Sequence, residues 1–149
     1  MADIAFNVAL GKIRWYCEQA GVGNAALVAV PLENAGLVSD ATMRDYTTLA
    51  ALLAGASNEQ TTLGRKVITS VAATVNHTAD RFEADFADLV WTGPAGNQVG
   101  AIVVCFDPDT TGGTDADLIP LTKHGWVMTP EGDSITANVA DFFRASSAA

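Results

Sequence analysis

The chain has 149 residues and a formal net charge of -9, and 49% of its residues are hydrophobic while 17% are charged. Its eight basic residues are scattered, so the sequence lacks the clustered positive charge that nucleic acids and anionic membrane surfaces require. No apolar run approaches the length of a membrane span, and the N-terminus lacks a signal-peptide pattern. We expect a single domain over residues 1–149. The low charge favours a homo-oligomer with apolar surface covered by neighbouring copies, and a compact monomer is the alternative.

Residues 1–24 are predicted to form a helix or an N-terminal arm. Asp3 can cap a helix over residues 4–20, and Gly21 can end it. An extended arm to about Ala9 is the alternative, because the apolar residues fit a 3.6-residue stripe only loosely. This poor fit makes the segment our candidate for contact with a neighbouring subunit. The candidate assembly contacts are Ile4, Phe6, Val8, Ile13 and Trp15.

Two elements are predicted over the next thirty or so residues. Residues 25–32 form an apolar run typical of a buried strand. Pro31 should lie at the end of that strand or at a sheet edge, because proline cannot donate a ladder hydrogen bond. Asp40 can cap a helix over residues 41–54, in which apolar residues recur at i, i+3 and i+4 and which Gly55 ends. We expect this helix to pack on the sheet.

Strands dominate the rest of the sequence. They are predicted over residues 65–75, 81–86, 89–92, 101–106, 118–123 and 134–140, with Gly, Pro, Asn and Asp at the turns between them. Residues 145–149 are expected to form a frayed tail. Helices that come early and strands that follow favour an α+β, mainly β fold. We predict an antiparallel β-sandwich or barrel-like core with one or two N-terminal helices packed on it.

The two strands over residues 101–106 and 118–123 form a hairpin with a long acidic loop. The loop carries Asp107, Asp109, Asp115 and Asp117 around a pair of glycines. Calcium prefers several oxygen ligands from a flexible loop, so a weak candidate metal site exists here. The loop lacks the residue order of an EF-hand, and aspartate favours turns without any metal. A solvent-exposed loop without a metal is therefore the prediction, and we expect no cofactor.

Few other residues indicate a catalytic role. Cys17 and Cys105 have apolar neighbours and are predicted to be buried thiols. His77 and His124 are far apart in sequence, and neither has a recognisable catalytic partner. A hydrolase would need a cleft that gathers Asp107, Asp117 and His124. A cellular binding module is a further alternative.

The sequence ADRFEADFADLVWTGPAGNQVGAIVVCFD, residues 79–107, combines an acidic strand, a Trp-Thr-Gly turn and a hydrophobic strand that ends in Phe-Asp. A returning strand with Pro-Leu-Thr follows at residues 120–122. This pattern resembles small virion structural proteins of tailed bacteriophages, above all those of actinobacterial phages. Residues 1–12 and 40–62 also resemble segments of these proteins, so the resemblance covers most of the chain.

The resemblance implies a structural protein without enzymatic activity. It is most like a head decoration or minor capsid protein that binds the major capsid protein on the outside of the shell. A tail or tail-fibre component is the alternative. The implied location is the virion, after synthesis in the host cytoplasm, and the implied partners are the capsid protein and further copies of the chain. We expect a trimer, because icosahedral shells offer threefold positions.

Overall fold

The structure is a computed structural model that describes residues 3–55 and 57–147. Within these ranges the helices are α1 (Ile13–Gln19), α2 (Asp40–Met43) and α3 (Leu49–Ala54), and none of them is long and apolar enough to cross a membrane. The strands are β1 (Ile4–Ala5), β2 (Ala26–Glu33), β3 (Lys66–Ile68), β4 (Ala72–Asn76), β5 (Arg81–Asp85), β6 (Leu89–Trp91), β7 (Val99–Asp107), β8 (Ile119–Met128), β9 (Ile135–Ala137) and β10 (Phe143–Ser146).

These strands form three antiparallel sheets. The largest has the order β1-β8-β7-β2-β3, the second has the order β10-β5-β4, and the third pairs β6 with β9. The two smaller sheets and α1 pack on one face of the large sheet, while α2 and α3 pack on its other face. The predicted mainly β architecture, with antiparallel sheets packed together and helices on them, is confirmed.

Strand β7 lies at the centre of the large sheet and is buried along almost its whole length. Val104 and Phe106 belong to the core that the smaller sheets cover, whereas Val103 and Cys105 belong to the core under α2 and α3. A strand with two covered faces needs apolar residues at consecutive positions, which accounts for its continuous apolar sequence.

Strand β2 is buried in the same way, and it contains a proline. Pro31 lies inside β2, beyond the last residue that pairs with β3. Its carbonyl accepts a hydrogen bond from the Gln60 N–H at 2.9 Å. The ladder between β2 and β3 has already ended at Pro31, so this part of β2 resembles a sheet edge, where proline is tolerated. Pro31 nevertheless does not lie at the end of the strand.

The N-terminal segment differs from the predicted helix over residues 4–20. Residues 4 and 5 form the edge strand β1, turns follow, and α1 begins only at Ile13. Phe6 is buried beneath α2 and α3, while Ala9 and Ile13 are buried on the opposite face of the sheet. A single straight helix cannot bury side chains on both faces of a sheet, so the chain crosses the sheet edge between Phe6 and Ala9.

The predicted helix over residues 41–54 is divided into α2 and α3. The Ser39 hydroxyl accepts a hydrogen bond from the Thr42 N–H, so Ser39 caps α2 where Asp40 was expected to do so. The Thr48 hydroxyl accepts one from the Ala51 N–H and starts a new helix. A local cap at Thr48 thus competes with continuation of the first helix.

One strand prediction and the prediction for the C-terminal tail also need correction. The predicted strand over residues 65–75 is two strands, because β3 belongs to the large sheet and β4 to the second one. The tail expected to fray is ordered as far as residue 147: Ala145 and Ser146 pair with Phe82 and Arg81 of β5. Residues 148 and 149 lie outside the described residues.

A lysine is buried between the large sheet and α2. The Lys123 side chain is 0% exposed, and its ammonium donates a hydrogen bond to the Asp40 carboxylate at 2.7 Å. A buried charge needs such a partner because the interior solvates it poorly. The pair therefore fixes the N-terminus of α2 to β8.

The first prediction concerns this pair. Asp40→Asn should lower the free energy of unfolding by about 2–3 kcal/mol, because it leaves the Lys123 charge less well compensated in the interior. Asp45→Asn is the control, since the Asp45 carboxylate accepts a hydrogen bond from Asn7 at the exposed surface and should contribute less than about 1 kcal/mol. Urea denaturation measures both values, and equal losses for the two variants would contradict the prediction.

Candidate functional site

The acidic loop between β7 and β8 is stabilised by its own carboxylates. The Asp107 carboxylate accepts a hydrogen bond from the Asp109 N–H at 3.0 Å. The Asp109 carboxylate accepts two from Thr111, from its N–H at 3.0 Å and its hydroxyl at 2.6 Å, and these bonds lower the pKa of Asp109. The Asp117 carboxylate accepts one from the Thr114 N–H at 2.8 Å. These three aspartates therefore stabilise turns, as their residue type favours.

Asp115 belongs to an ion-pair network that the sequence did not indicate. The Arg65 guanidinium donates two hydrogen bonds to the Asp115 carboxylate, at 2.7 and 3.0 Å, and two to the Glu59 carboxylate, at 2.6 and 2.7 Å. The hydrogen bonds from Arg65 lower the pKa of Asp115. Arg65 and Asp115 are 50 residues apart, so no local pattern could have predicted the contact.

Backbone hydrogen bonds also join the loop to α3. The N–H groups of Leu49 and Ala50, in the first turn of α3, donate hydrogen bonds to the Leu118 and Asp115 carbonyls, each at 3.0 Å. Among the described residues, no three His, Cys, Asp or Glu side chains are placed to hold a metal ion together. The arrangement supports a structural role for the loop: it joins the hairpin to α3 and to Arg65.

The second prediction compares two aspartates of this loop. Asp115→Asn should lower the free energy of unfolding by about 1 kcal/mol, because one of the two bidentate partners of Arg65 loses its charge at a partly exposed site. Asp109→Asn removes the same charge from an exposed turn, where the amide oxygen can still accept both hydrogen bonds from Thr111, so it should cost less than about 0.5 kcal/mol. Thermal denaturation of the two variants measures the difference. A loss of stability in Asp109→Asn that matched Asp115→Asn would contradict the assignment.

The third prediction follows from the lowered pKa of Asp115. A carboxyl group whose pKa is lower in the folded state contributes its stability above the pKa of the unfolded state, about 3.9 for Asp, and loses it as the pH falls through the folded pKa. The stability gap between wild type and Asp115→Asn should therefore be constant at neutral pH and should close below about pH 4. A gap that persists under strongly acidic conditions would contradict this origin.

A groove lies between β7 and β8 of the large sheet and residues 138–142, which connect β9 to β10. It encloses about 250 Å³. Its floor is apolar, its rim is polar, and a second, shallower depression continues it along β1 and β10. The polar residues around it include Asp3, His124, Asn138 and Asp141, and the apolar ones include Phe86, Leu89, Ile102, Val104, Trp126 and Phe142.

Three polar side chains form a chain of contacts at the rim. Asp3 Oδ2 lies 3.2 Å from His124 Nδ1, and His124 Nε2 lies 2.9 Å from the Thr122 hydroxyl. The Gly125 N–H donates a hydrogen bond to Asp3 Oδ1 at 3.0 Å. Partial burial raises the pKa of Asp3, but the Gly125 hydrogen bond and the His124 contact outweigh it, so the net pKa is lowered. These contacts hold the chain before β1 against β8.

The order carboxylate, imidazole, hydroxyl is the one found in nucleophilic triads. Here the hydroxyl belongs to Thr122, which lies inside the sheet and is only 2% exposed. Thr122 therefore offers almost no surface to a substrate, and its hydroxyl already contacts His124 Nε2. We therefore interpret the three side chains as an anchor for the N-terminal strand.

The other constellations considered from the sequence do not come together. His124 pairs with Ile102, whereas Ile119, next to the loop, pairs with Phe106, so five strand positions, or about 17 Å, separate His124 from the loop. A cleft shared by Asp107, Asp117 and His124 is thereby excluded. Cys17 and Cys105 are free and buried. Burial raises the pKa of Cys17 to about 12 and also raises that of Cys105, which disfavours a nucleophilic thiolate.

The five candidate assembly contacts differ in how exposed their side chains are. Phe6 and Ile13 are buried in the two cores of the chain itself, so their side chains are not accessible to a partner. Ile4 is half-buried, and Val8 and Trp15 are exposed. Sequence reasoning missed two exposed apolar side chains in the same segment, Leu10 and Val22. Their position in turns gave no periodic signal that could have identified them.

In comparisons with protein-family models, curated proteins and solved structures, nothing matches the chain.

Proposed function

We propose that the chain is a non-enzymatic structural protein of a tailed-bacteriophage virion. In this proposal it decorates and stabilises the outside of the capsid by binding the lattice of the major capsid protein. The resemblance of residues 1–12, 40–62 and 79–107 to virion structural proteins motivates the proposal. A rigid β domain with covered sheet faces suits a component that must remain folded on an exposed particle surface.

One observation carries the proposal furthest: apolar side chains are exposed along residues 8–22. Val8, Leu10, Trp15 and Val22 are between 38% and 58% exposed. Single exposed apolar residues are normal, but four large ones within fifteen residues on an acidic protein favour a segment that a partner covers. The Trp15 ring packs against the rings of Tyr16 and Phe106, at centroid distances of 5.3 and 5.9 Å. A rigidly held tryptophan is a common anchor in protein interfaces.

The acidic side chains that could take part in catalysis instead form hydrogen bonds and ion pairs that stabilise the fold. Asp115 and Glu59 bind Arg65, Asp3 binds Gly125 and His124, and the loop aspartates stabilise turns. We propose that the protein acts as a homo-oligomer, most simply a trimer at threefold positions of the shell. A stable contact between copies should bury on the order of 1,000 Å² or more.

The fourth prediction tests the role of residues 8–22. The double variant Leu10→Ser/Val22→Ser should bind capsid shells that lack the protein at least about tenfold more weakly, because two apolar side chains no longer leave water on binding. The matched control is Val67→Ser/Val127→Ser, in which two equally exposed valines on β3 and β8 are replaced. Co-sedimentation of each purified protein with the shells measures the affinity.

The control should bind like the wild type, and both variants should keep the wild-type circular dichroism spectrum. Equal affinity of Leu10→Ser/Val22→Ser and wild type would refute the role of this segment. Failure of the wild-type protein to bind shells, combined with binding to isolated tails, would replace the capsid proposal with the tail alternative.

A further inference from the structure

We propose that the groove between β7, β8 and residues 138–142 is a binding site for a single basic side chain, Lys or Arg, presented by a partner protein. The aliphatic stem would lie on the apolar floor, and the charged end would reach the Asp3 carboxylate at the rim. This inference goes beyond the proposed function, because it concerns a different surface from residues 8–22 and does not depend on where the partner is located.

The groove offers space for a side chain of a partner. It encloses about 250 Å³, close to the lower end of the range of about 300–1,000 Å³ typical of ligand clefts, and the shallower depression beside it adds open space along β1 and β10. Phe86, Ile102, Trp126 and Phe142 provide an apolar surface in the groove. Lys and Arg side chains bury their methylene stems on such surfaces while the charged end remains near polar groups.

The charge of the rim favours a cation. Asp3 is the most accessible carboxylate there, with its side chain 64% exposed, and each of its oxygens has one neighbour, the Gly125 N–H or His124 Nδ1. A carboxylate oxygen can accept more than one hydrogen bond, so Asp3 retains acceptor capacity toward the groove. The protein carries a net charge of -9, which also favours approach of a basic partner.

The chain itself places one guanidinium next to the groove. Arg144 lines the shallower depression next to the groove and donates hydrogen bonds to the Asp141 carboxylate, from Nε at 2.7 Å. Arg144 thus neutralises the charge of Asp141, whose side chain is only 18% exposed, whereas the Asp3 side chain is 64% exposed. Asp3 is therefore the carboxylate that a second cation would use.

The wall opposite β8 is held by two further acidic side chains. The Asp88 carboxylate accepts a hydrogen bond from the Val139 N–H at 2.7 Å, and the Asp85 carboxylate accepts one from the Asp141 N–H at 3.3 Å. These bonds fix residues 139–141 as a preformed wall. Binding of a side chain then requires little ordering of the site, which reduces the cost of binding.

The test uses small molecules that mimic the end of an arginine side chain. Butylguanidinium is titrated into the isolated protein, with neutral butylurea and anionic butyrate as matched probes of similar shape. The readout is the NMR chemical shift of the Gly125 amide and of the Trp126 indole, because both residues line the groove. We expect saturable shifts with butylguanidinium and at least about fivefold weaker binding of butylurea, since only the cation gains a charge-assisted hydrogen bond.

Asp3→Asn should weaken butylguanidinium binding roughly fivefold to tenfold while leaving butylurea binding unchanged, and it retains an oxygen that can accept the Gly125 hydrogen bond. Asp133→Asn is the control, because it removes the same charge from an exposed turn outside the groove. Equal binding of all three probes, or shifts confined to residues outside the groove, would overturn the proposal. The titration needs no capsid, so its failure is distinguishable from a failure of shell binding.

Discussion

Burial of both faces of β7 is the constraint on which the rest of the structure depends. Val103 and Cys105 need the cover of α2 and α3, whereas Val104 and Phe106 need the smaller sheets and α1. Each fully buried side chain of this kind stabilises the fold by about 1.5–3 kcal/mol, so leaving either face open would remove a large part of the net stability. The two cores therefore require each other, and the chain must cross the sheet edge to supply both. Its crossing between β1 and α1 places apolar turn residues at the surface.

Charged groups then determine how the covering layers are held. Lys123 fixes α2 through Asp40, and Arg65 joins the hairpin loop to the segment before β3 through Asp115 and Glu59. The few basic residues of an acidic chain are thus partly used between layers, which accounts for their scattered positions in the sequence. Asp3 has the same role at the edge of β8, although it stays more exposed than the other carboxylates. That exposure is what distinguishes the groove from a purely structural contact.

The sequence was sufficient for features that depend on local pattern. The continuous apolar runs of β2 and β7 and the alternation in β5 predicted strands, and the turn residues between β7 and β8 predicted their hairpin. It was insufficient where distant residues decide the outcome. The loose periodicity near Phe6 and Ile13 suggested contacts between subunits, but it arises because the two residues enter different cores of the same chain. The groove and the Arg65 network join residues far apart in sequence, and no spacing rule identifies such contacts.

The proposal that the chain decorates a capsid is tested most directly by a cryo-electron microscopy reconstruction of a virion that contains it. We predict density for this β domain on the outer surface of the shell, at threefold positions, with residues 8–22 against the major capsid protein. Trp15 should be covered by the capsid protein or by another copy of the chain. Density for the domain in the tail, or on the shell with residues 8–22 facing solvent, would contradict the account.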